Sequence, residues 1–172
     1  MDTKKNSCYR RVIVKYSGEA LLGEKEHGVD SQMVEHIASE LKPVVESKIQ
    51  VGIIIGGGNF FRGAKLNDSK ISRITGDHLG MVATMLNTLM LRDYFNHLGI
   101  KTKAMSAVPL DGIIERYSVD KACEYLEQNY VVIFAGGTGN PLVTTDTALS
   151  LRGIELEADL LLKATNVDGV YT

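Results

Sequence analysis

Two glycine-rich loops are the residues of this chain best suited to chemistry, because each follows an apolar run typical of a buried strand. Residues 53–55 lead into Gly56-Gly57-Gly58-Asn59, and residues 131–135 lead into Gly136-Gly137-Thr138-Gly139-Asn140. Glycines at a strand end let the backbone approach a ligand and direct free N–H groups towards it. Phosphate is the usual ligand of such a turn. Two loops of this kind indicate two phosphate groups, and therefore phosphoryl transfer.

Two basic side chains accompany these loops. Lys15 ends the first apolar run beside Ser17 and Gly18, where an ammonium can neutralise the charge that spreads over a phosphoryl group in transit. Arg62 follows the first glycine loop, where its guanidinium could hold a phosphate. The alternative for Lys15 is a solvated lysine at a strand end, and a plain surface arginine fits Arg62 equally well.

Two carboxylates and a hydroxyl pair complete the candidate set. Asp77 begins a long predicted helix, and from spacing alone a helix cap is a better interpretation than a ribose ligand. Thr144 and Thr145 follow the second loop at a helix start, where Thr145 could cap the helix or both could bind an anion. Asp146 cannot bind phosphate directly, so it would hold lysines or Mg²⁺. Lys163 ends the last predicted strand and completes the cationic set.

Three familiar nucleotide-binding motifs are absent. The turn after the first strand lacks the glycines of the dinucleotide fingerprint, and in the second loop Leu142 occupies the third glycine position. Gly58 and Gly63 have the spacing of a P-loop, but Ala64 stands where the lysine is required. The protein-kinase signatures H-R-D and D-F-G are also missing. The loops therefore indicate a different class of phosphotransferase.

Strand and helix patterns alternate along the chain. Strands are predicted at 12–14, 51–55, 101–104, 130–135 and 160–164, and helices at 30–46, 77–98, 118–128 and 145–157. This alternation predicts an α/β fold, a three-layer αβα sandwich with a mainly parallel central sheet. Ligands of such sheets bind beyond the carboxyl ends of the strands. Lys15, both glycine loops and Lys163 all fall at that edge.

Two of the predicted helices have unusual features. Pro43 lies late in the first helix and should kink it or end it early. The helix from Asp77 carries apolar residues almost all the way round and is closed by Gly99. A helix of that kind is buried or forms an oligomer contact.

Composition and residue spacing limit the classes of partner and cofactor that fit this chain. The 172-residue chain has a net charge of −2, which argues against a nucleic-acid partner, and no apolar run has the length of a membrane span. Cys8 and Cys123 fit free thiols in a reducing cytosol. The histidines show no ligand spacing, so no protein-held metal site is predicted.

Six motifs follow one another along the chain: Lys15–Leu21, Gly56–Gly63, Gly76–Met81, Gly136–Pro141, Thr144–Asp146 and Lys163–Tyr171. In this order they resemble the motifs of the bacterial uridylate (UMP) kinases of the amino-acid kinase family. The match is collinear and covers essentially the whole chain, which implies a single domain of that type over residues 1–172.

This resemblance implies the reaction ATP + UMP → ADP + UDP with Mg²⁺, and it reverses the spacing-based interpretation of Asp77. By similarity, the catalytic residues would be Lys15, Arg62, Asp146 and Lys163. The residues for UMP would be Gly57, Asp77, Thr138, Gly139, Asn140, Pro141, Leu142, Val143, Thr144 and Thr145. The residues for ATP would be Lys15, Tyr16, Ser17, Gly18, Gly58, Arg62, Thr165, Asn166 and Tyr171.

The resemblance further implies a cytoplasmic homohexamer in pyrimidine nucleotide synthesis, activated by GTP and inhibited by UTP. Members of the family continue beyond residue 172 with a segment that completes the adenine pocket, so that C-terminal ATP-binding part is expected to be missing here. Two other hypotheses remain. One is a nucleotide-binding subunit that binds UMP without turnover, and the other is a sister kinase with a carboxylate or carbamate acceptor.

Overall fold

A computed structural model of the protein describes residues 9–61 and 70–164, in which strands and helices alternate as the pattern predicts, except that one unpredicted short strand, Glu115–Arg116, directly follows another strand. The strands are β1 Arg11–Tyr16, β2 Gln50–Ile55, β3 Thr102–Ser106, β4 Glu115–Arg116, β5 Val131–Ala135 and β6 Leu160–Lys163. The helices are α1 Ser31–Glu46, α2 Arg73–His97, α3 Val119–Glu127 and α4 Thr145–Glu155, and a short 3₁₀ turn covers Gly18–Leu21 after β1.

The six strands form one sheet in the order β4-β3-β5-β2-β1-β6, and every pairing between them is parallel. Lys15 of β1 lies opposite Lys163 of β6 on one side and Ile54 of β2 on the other. Ile54 in turn lies opposite Phe134 of β5. The carboxyl ends of β6, β1, β2 and β5 are therefore neighbours along one edge, and the predicted α/β architecture is confirmed.

Helices cover both faces of this sheet. Helices α1 and α2 pack on one face, against Ile53 and Ile55 of β2, whereas α3 and α4 pack on the other, against Ile54. Successive side chains of a strand point to opposite faces, so a strand covered on both sides is apolar throughout. Burial of each isoleucine contributes about 1.5–3 kcal/mol. The buried strands thus give the loops at their ends a rigid base.

Helix α1 continues through its proline. Asp30 caps α1, since its Oδ1 accepts a hydrogen bond from the Gln32 N–H at 2.8 Å. The expected early end at Pro43 is wrong, because the helix runs on to Glu46, whereas a kink there stays a prediction. Proline in a helix lacks an N–H donor and crowds the carbonyl four residues earlier, but Pro43 lies in the last turn, where few helical hydrogen bonds remain to be disturbed. The N–H and the hydroxyl of Ser47 both donate to the Pro43 carbonyl and close it.

Helix α2 begins one turn earlier than predicted. Ser72 caps it, with Oγ accepting from the Thr75 N–H at 3.2 Å, so the interpretation of Asp77 as a helix cap is wrong. The helix ends before Gly99, whose φ of +83° closes it as predicted. Among the described residues, no helix is long and apolar enough to cross a membrane.

Candidate functional site

Asp146 lies between two lysines at the carboxyl edge of the sheet. The Nζ of Lys15 is 3.2 Å from Asp146 Oδ1, and the Nζ of Lys163 donates to Oδ2 at 2.6 Å. The two lysines are opposite each other on neighbouring strands, and Asp146 belongs to the first turn of α4. The structure therefore brings together three of the residues that the resemblance assigns to catalysis. The fourth, Arg62, lies outside the described residues.

The charges of this cluster leave it positive. The hydrogen bond from Lys163 and the contacts with Lys15 lower the pKa of Asp146, against an opposing effect of burial. Asp146 is thus a carboxylate at neutral pH, and with two ammonium groups the cluster carries one net positive charge. Its Oδ1 is buried and makes an ion pair with Lys15 that lacks hydrogen-bond geometry. An ammonium has three donors, so one carboxylate contact leaves it capacity for phosphate oxygens.

The first glycine loop is packed against its surroundings. A Cβ built on Gly57 would lie 2.7 Å from the Ala83 Cβ and 2.9 Å from the Gly80 carbonyl oxygen, both on α2. A Cβ on Gly18 would lie 2.6 Å from the backbone nitrogen of Gly58. Only glycine allows these approaches. The turn after β1 and the loop after β2 are therefore in contact, which places the predicted ATP residues Ser17, Gly18 and Gly58 side by side.

The second glycine loop owes its shape to backbone conformation. Gly136, Gly137 and Gly139 have φ values of +74°, +58° and +85°, a region that favours glycine. The Gly136 N–H donates to Thr84 Oγ1 at 2.8 Å, and the Thr84 hydroxyl donates to the Met81 carbonyl at 2.6 Å. A buried threonine of α2 thus anchors the start of this loop.

A cleft lies between the two loops, the start of α4 and one side of α2. Gly139, Pro141 and Leu142 are not among the described residues that line it. The predicted nucleotide residues that line it are Gly57, Gly58, Asp77, Thr138, Asn140, Val143, Thr144 and Thr145.

Sequence reasoning assigned no nucleotide to some residues that line this cleft. Thr84 lies outside the quoted motifs, and the others lie within them: Phe61, Gly76, Gly80, Met81 and Gly137. The signal that could have found those on α2 is the spacing of small residues at 76, 80 and 84. Positions four apart lie on one face of a helix, and small side chains there allow another backbone to approach.

Asp77 lies at the rim of the cleft, in the second turn of α2. Its Oδ2 accepts a hydrogen bond from the Leu142 N–H at 2.9 Å, and Arg73 Nε donates to both oxygens at 2.9 and 3.1 Å. The bond from Leu142, followed by the bond from Arg73, lowers the pKa of Asp77. Leu142 itself is 64% exposed and has a φ of +69°. Asp77 is thus a charged acceptor that joins α2 to the second loop.

Other predicted site residues have different surroundings. The side chain of Tyr16 packs against the core on the α1 side, where burial and the nearby Glu40 raise its pKa. Its carbonyl accepts the Gly56 N–H at 2.9 Å, so Tyr16 supports the loop through its backbone. Thr144, not Thr145, caps α4, because Thr144 Oγ1 accepts from the Thr147 N–H at 3.4 Å. Thr165, Asn166 and Tyr171 lie outside the described residues.

Comparisons with known proteins agree with this architecture. The model of the amino acid kinase family matches residues 10–172. A uridylate kinase of Psychromonas ingrahamii is 51% identical over 171 residues, covering 99% of this chain and 69% of that protein. A uridylate kinase of Coxiella burnetii is 52% identical over 164 residues, covering 95% of this chain and 68% of that protein. The crystal structure of a UMP kinase from Bacillus anthracis superposes with a TM-score of 0.91 at 39% identity, covering 95% of this chain and 68% of that one.

Proposed function

Because this chain belongs to the amino acid kinase family, we propose that it transfers the γ-phosphoryl group of ATP to UMP, giving ADP and UDP. One observation carries the proposal: two glycine loops flank a cleft, and at the same edge of the sheet Asp146, next to the cleft residue Thr145, holds two lysines. A glycine-rich loop of this kind can hold one phosphate, so two such loops can hold two phosphate-bearing ligands. The relatives named uridylate kinase supply the identity of the acceptor.

In the proposed reaction, an oxygen of the UMP phosphate attacks the γ-phosphorus of ATP. The bond between that phosphorus and the β,γ-bridging oxygen breaks, and ADP leaves with the electron pair. Such a transfer needs positioning and positive charge rather than covalent help from the protein. Lys15 and Lys163 supply the charge, and Asp146 holds their ammonium groups in place before the reaction begins. Arg62 adds a further cation in this proposal.

The two nucleotides occupy different sides of the first loop in this proposal. UMP lies in the cleft, with its phosphate at the N-terminus of α4 beside Thr145 and its ribose at Asp77. The second loop, with Thr138, covers the remainder of UMP. ATP lies on the side of the β1 turn. Its contacts are proposed at Ser17, Gly18, Gly58, Thr165, Asn166 and Tyr171.

Magnesium enters this proposal as the ATP complex, and thus as part of the substrate. Among the described residues, no group of three or more His, Cys, Asp or Glu side chains is placed to hold a metal. The carboxylate of Asp146 is engaged by two ammonium groups, which compete with a cation. Mg²⁺ prefers water and substrate phosphates to a cage of protein ligands. The nucleotide phosphates therefore supply most of its ligands in this proposal.

We also propose that copies of the chain associate through α2. Its outward side exposes an apolar stripe, which is the kind of surface that marks a protein contact. A homohexamer, a cytoplasmic location, a role in pyrimidine nucleotide synthesis, activation by GTP and inhibition by UTP all stay predictions from the family resemblance. The stripe consists of Leu79, Val82, Leu86 and Met90.

The direct test of the function is a coupled assay of ADP release from MgATP with UMP, CMP or carbamate as acceptor. We expect ADP release with UMP to be at least about tenfold faster than with CMP or carbamate, because a binding site shaped for one acceptor discriminates against others to this extent. Release with carbamate instead would indicate a sister kinase. Calorimetric binding of UMP without any ADP release would support the non-catalytic subunit, which the uridylate kinase relatives do not favour.

Substitution of Lys15 tests the cationic cluster. Lys15→Ala should lower kcat by about 10²–10³ and leave UMP affinity nearly unchanged, because the ammonium acts mainly on charge that develops in the transition state. The matched control is Lys103→Ala, another strand lysine, whose Nζ lies 5.2 Å from the ring centres of Tyr125 and Tyr130. That control should keep its kcat. Equal losses of kcat and UMP affinity in Lys15→Ala would contradict the role of Lys15.

A further inference from the structure

Two asparagines form a closed amide pair beneath the first glycine loop. Asn59 ends the loop and is 3% exposed, and Asn87 lies on α2 and is fully buried. The Nδ2 of Asn59 donates to Asn87 Oδ1 at 2.8 Å, and the Nδ2 of Asn87 donates to Asn59 Oδ1 at 2.7 Å. The pair joins residues that are 28 positions apart in the chain.

Each amide also binds a backbone carbonyl. Asn59 Nδ2 donates to the Gly28 oxygen at 2.8 Å, and Asn87 Nδ2 donates to the Gly56 oxygen at 2.7 Å. Carbonyls only accept, so these two bonds determine which way each amide faces. All four amide N–H donors are used. A buried polar network that is fully satisfied is rigid, and it permits one arrangement of the groups it joins.

The pair contacts the turn after β1, the first loop and α2. A Cβ built on Gly18 would lie 2.5 Å from Asn59 Oδ1, so the turn after β1 rests directly on the amide. The Gly56 carbonyl belongs to the loop itself, and Asn87 lies one turn beyond Thr84 on the helix that forms the cleft wall. The proposed ATP side and the proposed UMP side of the cleft are thus joined at one point.

We propose that the Asn59–Asn87 pair positions groups for phosphoryl transfer, because it holds the first glycine loop in the position that the transfer requires between the two nucleotides. This inference rests on the function proposed above. Neither asparagine lines the cleft, so both act through the loop. A small displacement of reacting groups costs far more in rate than in binding. Loss of the pair should therefore lower kcat more than it raises KM.

The test compares Asn87→Ser and Asn59→Ser with the matched control Asn96→Ala in the full chain. Asn96 is on the same helix and also makes side-chain bonds to backbone, accepting from the Thr102 N–H at 3.0 Å and donating to the Arg92 oxygen at 2.7 Å. It lies towards the opposite end of α2. All variants are assayed well below their melting temperatures, and amide hydrogen exchange at 56–59 is measured alongside.

We expect each amide-pair variant to lose at least about tenfold in kcat, with KM for UMP changed by less than about threefold. Exchange at 56–59 should become faster in both. The control should lose stability while keeping its kcat and its exchange at the loop. Folded variants with unchanged kcat and unchanged exchange would overturn the proposal. Loss of folding in both variants would also overturn it, because the pair would then be a requirement of the fold alone.

This design separates two kinds of failure. If the unsubstituted chain releases no ADP with UMP, the proposed function fails, whereas the exchange measurement still tests whether the pair holds the loop. If the unsubstituted chain is active and the variants keep full activity, the positioning role fails and the proposed function stands.

Discussion

The two glycine loops differ in why they need glycine. In the first loop, Gly57 needs space, because a side chain would meet Ala83 and the Gly80 carbonyl of α2. In the second loop, Gly137 has open surroundings but a φ of +58°. At these two positions the first loop is shaped by its neighbours and the second by its own backbone, although at the start of the second loop a Cβ on Gly136 would also lie 3.0 Å from Ser106 Oγ.

This difference indicates that the cleft has two kinds of wall, each formed by one of the glycine loops. The first loop is enclosed by the β1 turn, α2 and the buried amides, so its N–H groups are held in position before a ligand arrives. The second loop is anchored at Gly136 by Thr84 and then continues to Leu142 and Val143, which are 64% and 43% exposed. We therefore expect changes in the first loop to affect chemistry, and changes in the second loop to affect mainly the closing of the site around UMP.

Alanine at the two glycines gives the largest contrast. Gly57→Ala should lower kcat/KM for UMP by about 10²-fold and destabilise the protein by about 1–3 kcal/mol, because its Cβ must displace backbone of α2. Gly137→Ala should cost about 1–2 kcal/mol in stability from the left-handed backbone alone, with a smaller effect on kcat. Steady-state kinetics with UMP and chemical denaturation measure both.

The relative activities of the Gly57→Ala and Gly137→Ala variants test whether the first loop is more rigid than the second. A Gly57→Ala variant that is as active as Gly137→Ala would show that α2 yields easily to the added methyl group. The first loop would then be no more rigid than the second, and the distinction between the two walls would be lost.

Thr84 gives an intermediate effect, because it anchors the second loop. Thr84→Val removes the acceptor of the Gly136 N–H, and a buried donor left without a partner costs about 1–3 kcal/mol. The matched control is Thr88→Val, one turn further along α2, where the buried hydroxyl has no hydrogen-bond partner. Replacing that hydroxyl with a methyl group should leave stability unchanged or raise it. Denaturation midpoints of the two variants measure the difference, and equal losses would contradict the role of Thr84 as an anchor.

The sequence alone was sufficient to predict which residues lie at the carboxyl edge of the sheet. Strand ends at Lys15, Gly56, Gly136 and Lys163 can be read from local patterns, and parallel pairing then requires them to meet at one edge. The fold and the positions of both loops followed from this. These features depend on neighbouring residues in the chain, which is why periodicity was enough to find them.

The remainder of the site depends on contacts between distant residues. Asp77 was misread as a cap because Ser72, a better cap, lies one turn earlier, and a carboxylate in the second turn has no local signature. The amide pair of Asn59 and Asn87 joins two elements whose relative position is set only by packing on the sheet. The approach of Gly57 to α2 is of the same kind.

The smallest expected effect is on the stability of the protein at acidic pH, to which the bond between Asp77 and the second loop contributes. Hydrogen bonds from Leu142 and Arg73 lower the pKa of Asp77 in the folded state. Its contribution to stability is therefore present above the unfolded value of about 4 and is lost as pH falls through the lower folded value. Asp77→Asn should thus lower Tm at pH 7 more than at pH 3, and it should raise KM for UMP if the carboxylate binds the ribose.

Asp159 provides the control, because hydrogen bonds also lower the pKa of this carboxylate, which lies at the opposite edge of the sheet. Its Oδ2 accepts the Arg10 and Arg11 N–H groups, both at 2.7 Å, and these bonds lower its pKa. Asp159→Asn should reproduce the pH dependence of Tm without any change in KM for UMP. If both substitutions left KM unchanged, Asp77 would be a structural link to the second loop only. The outer part of that loop would then close over UMP without help from a ribose contact at Asp77.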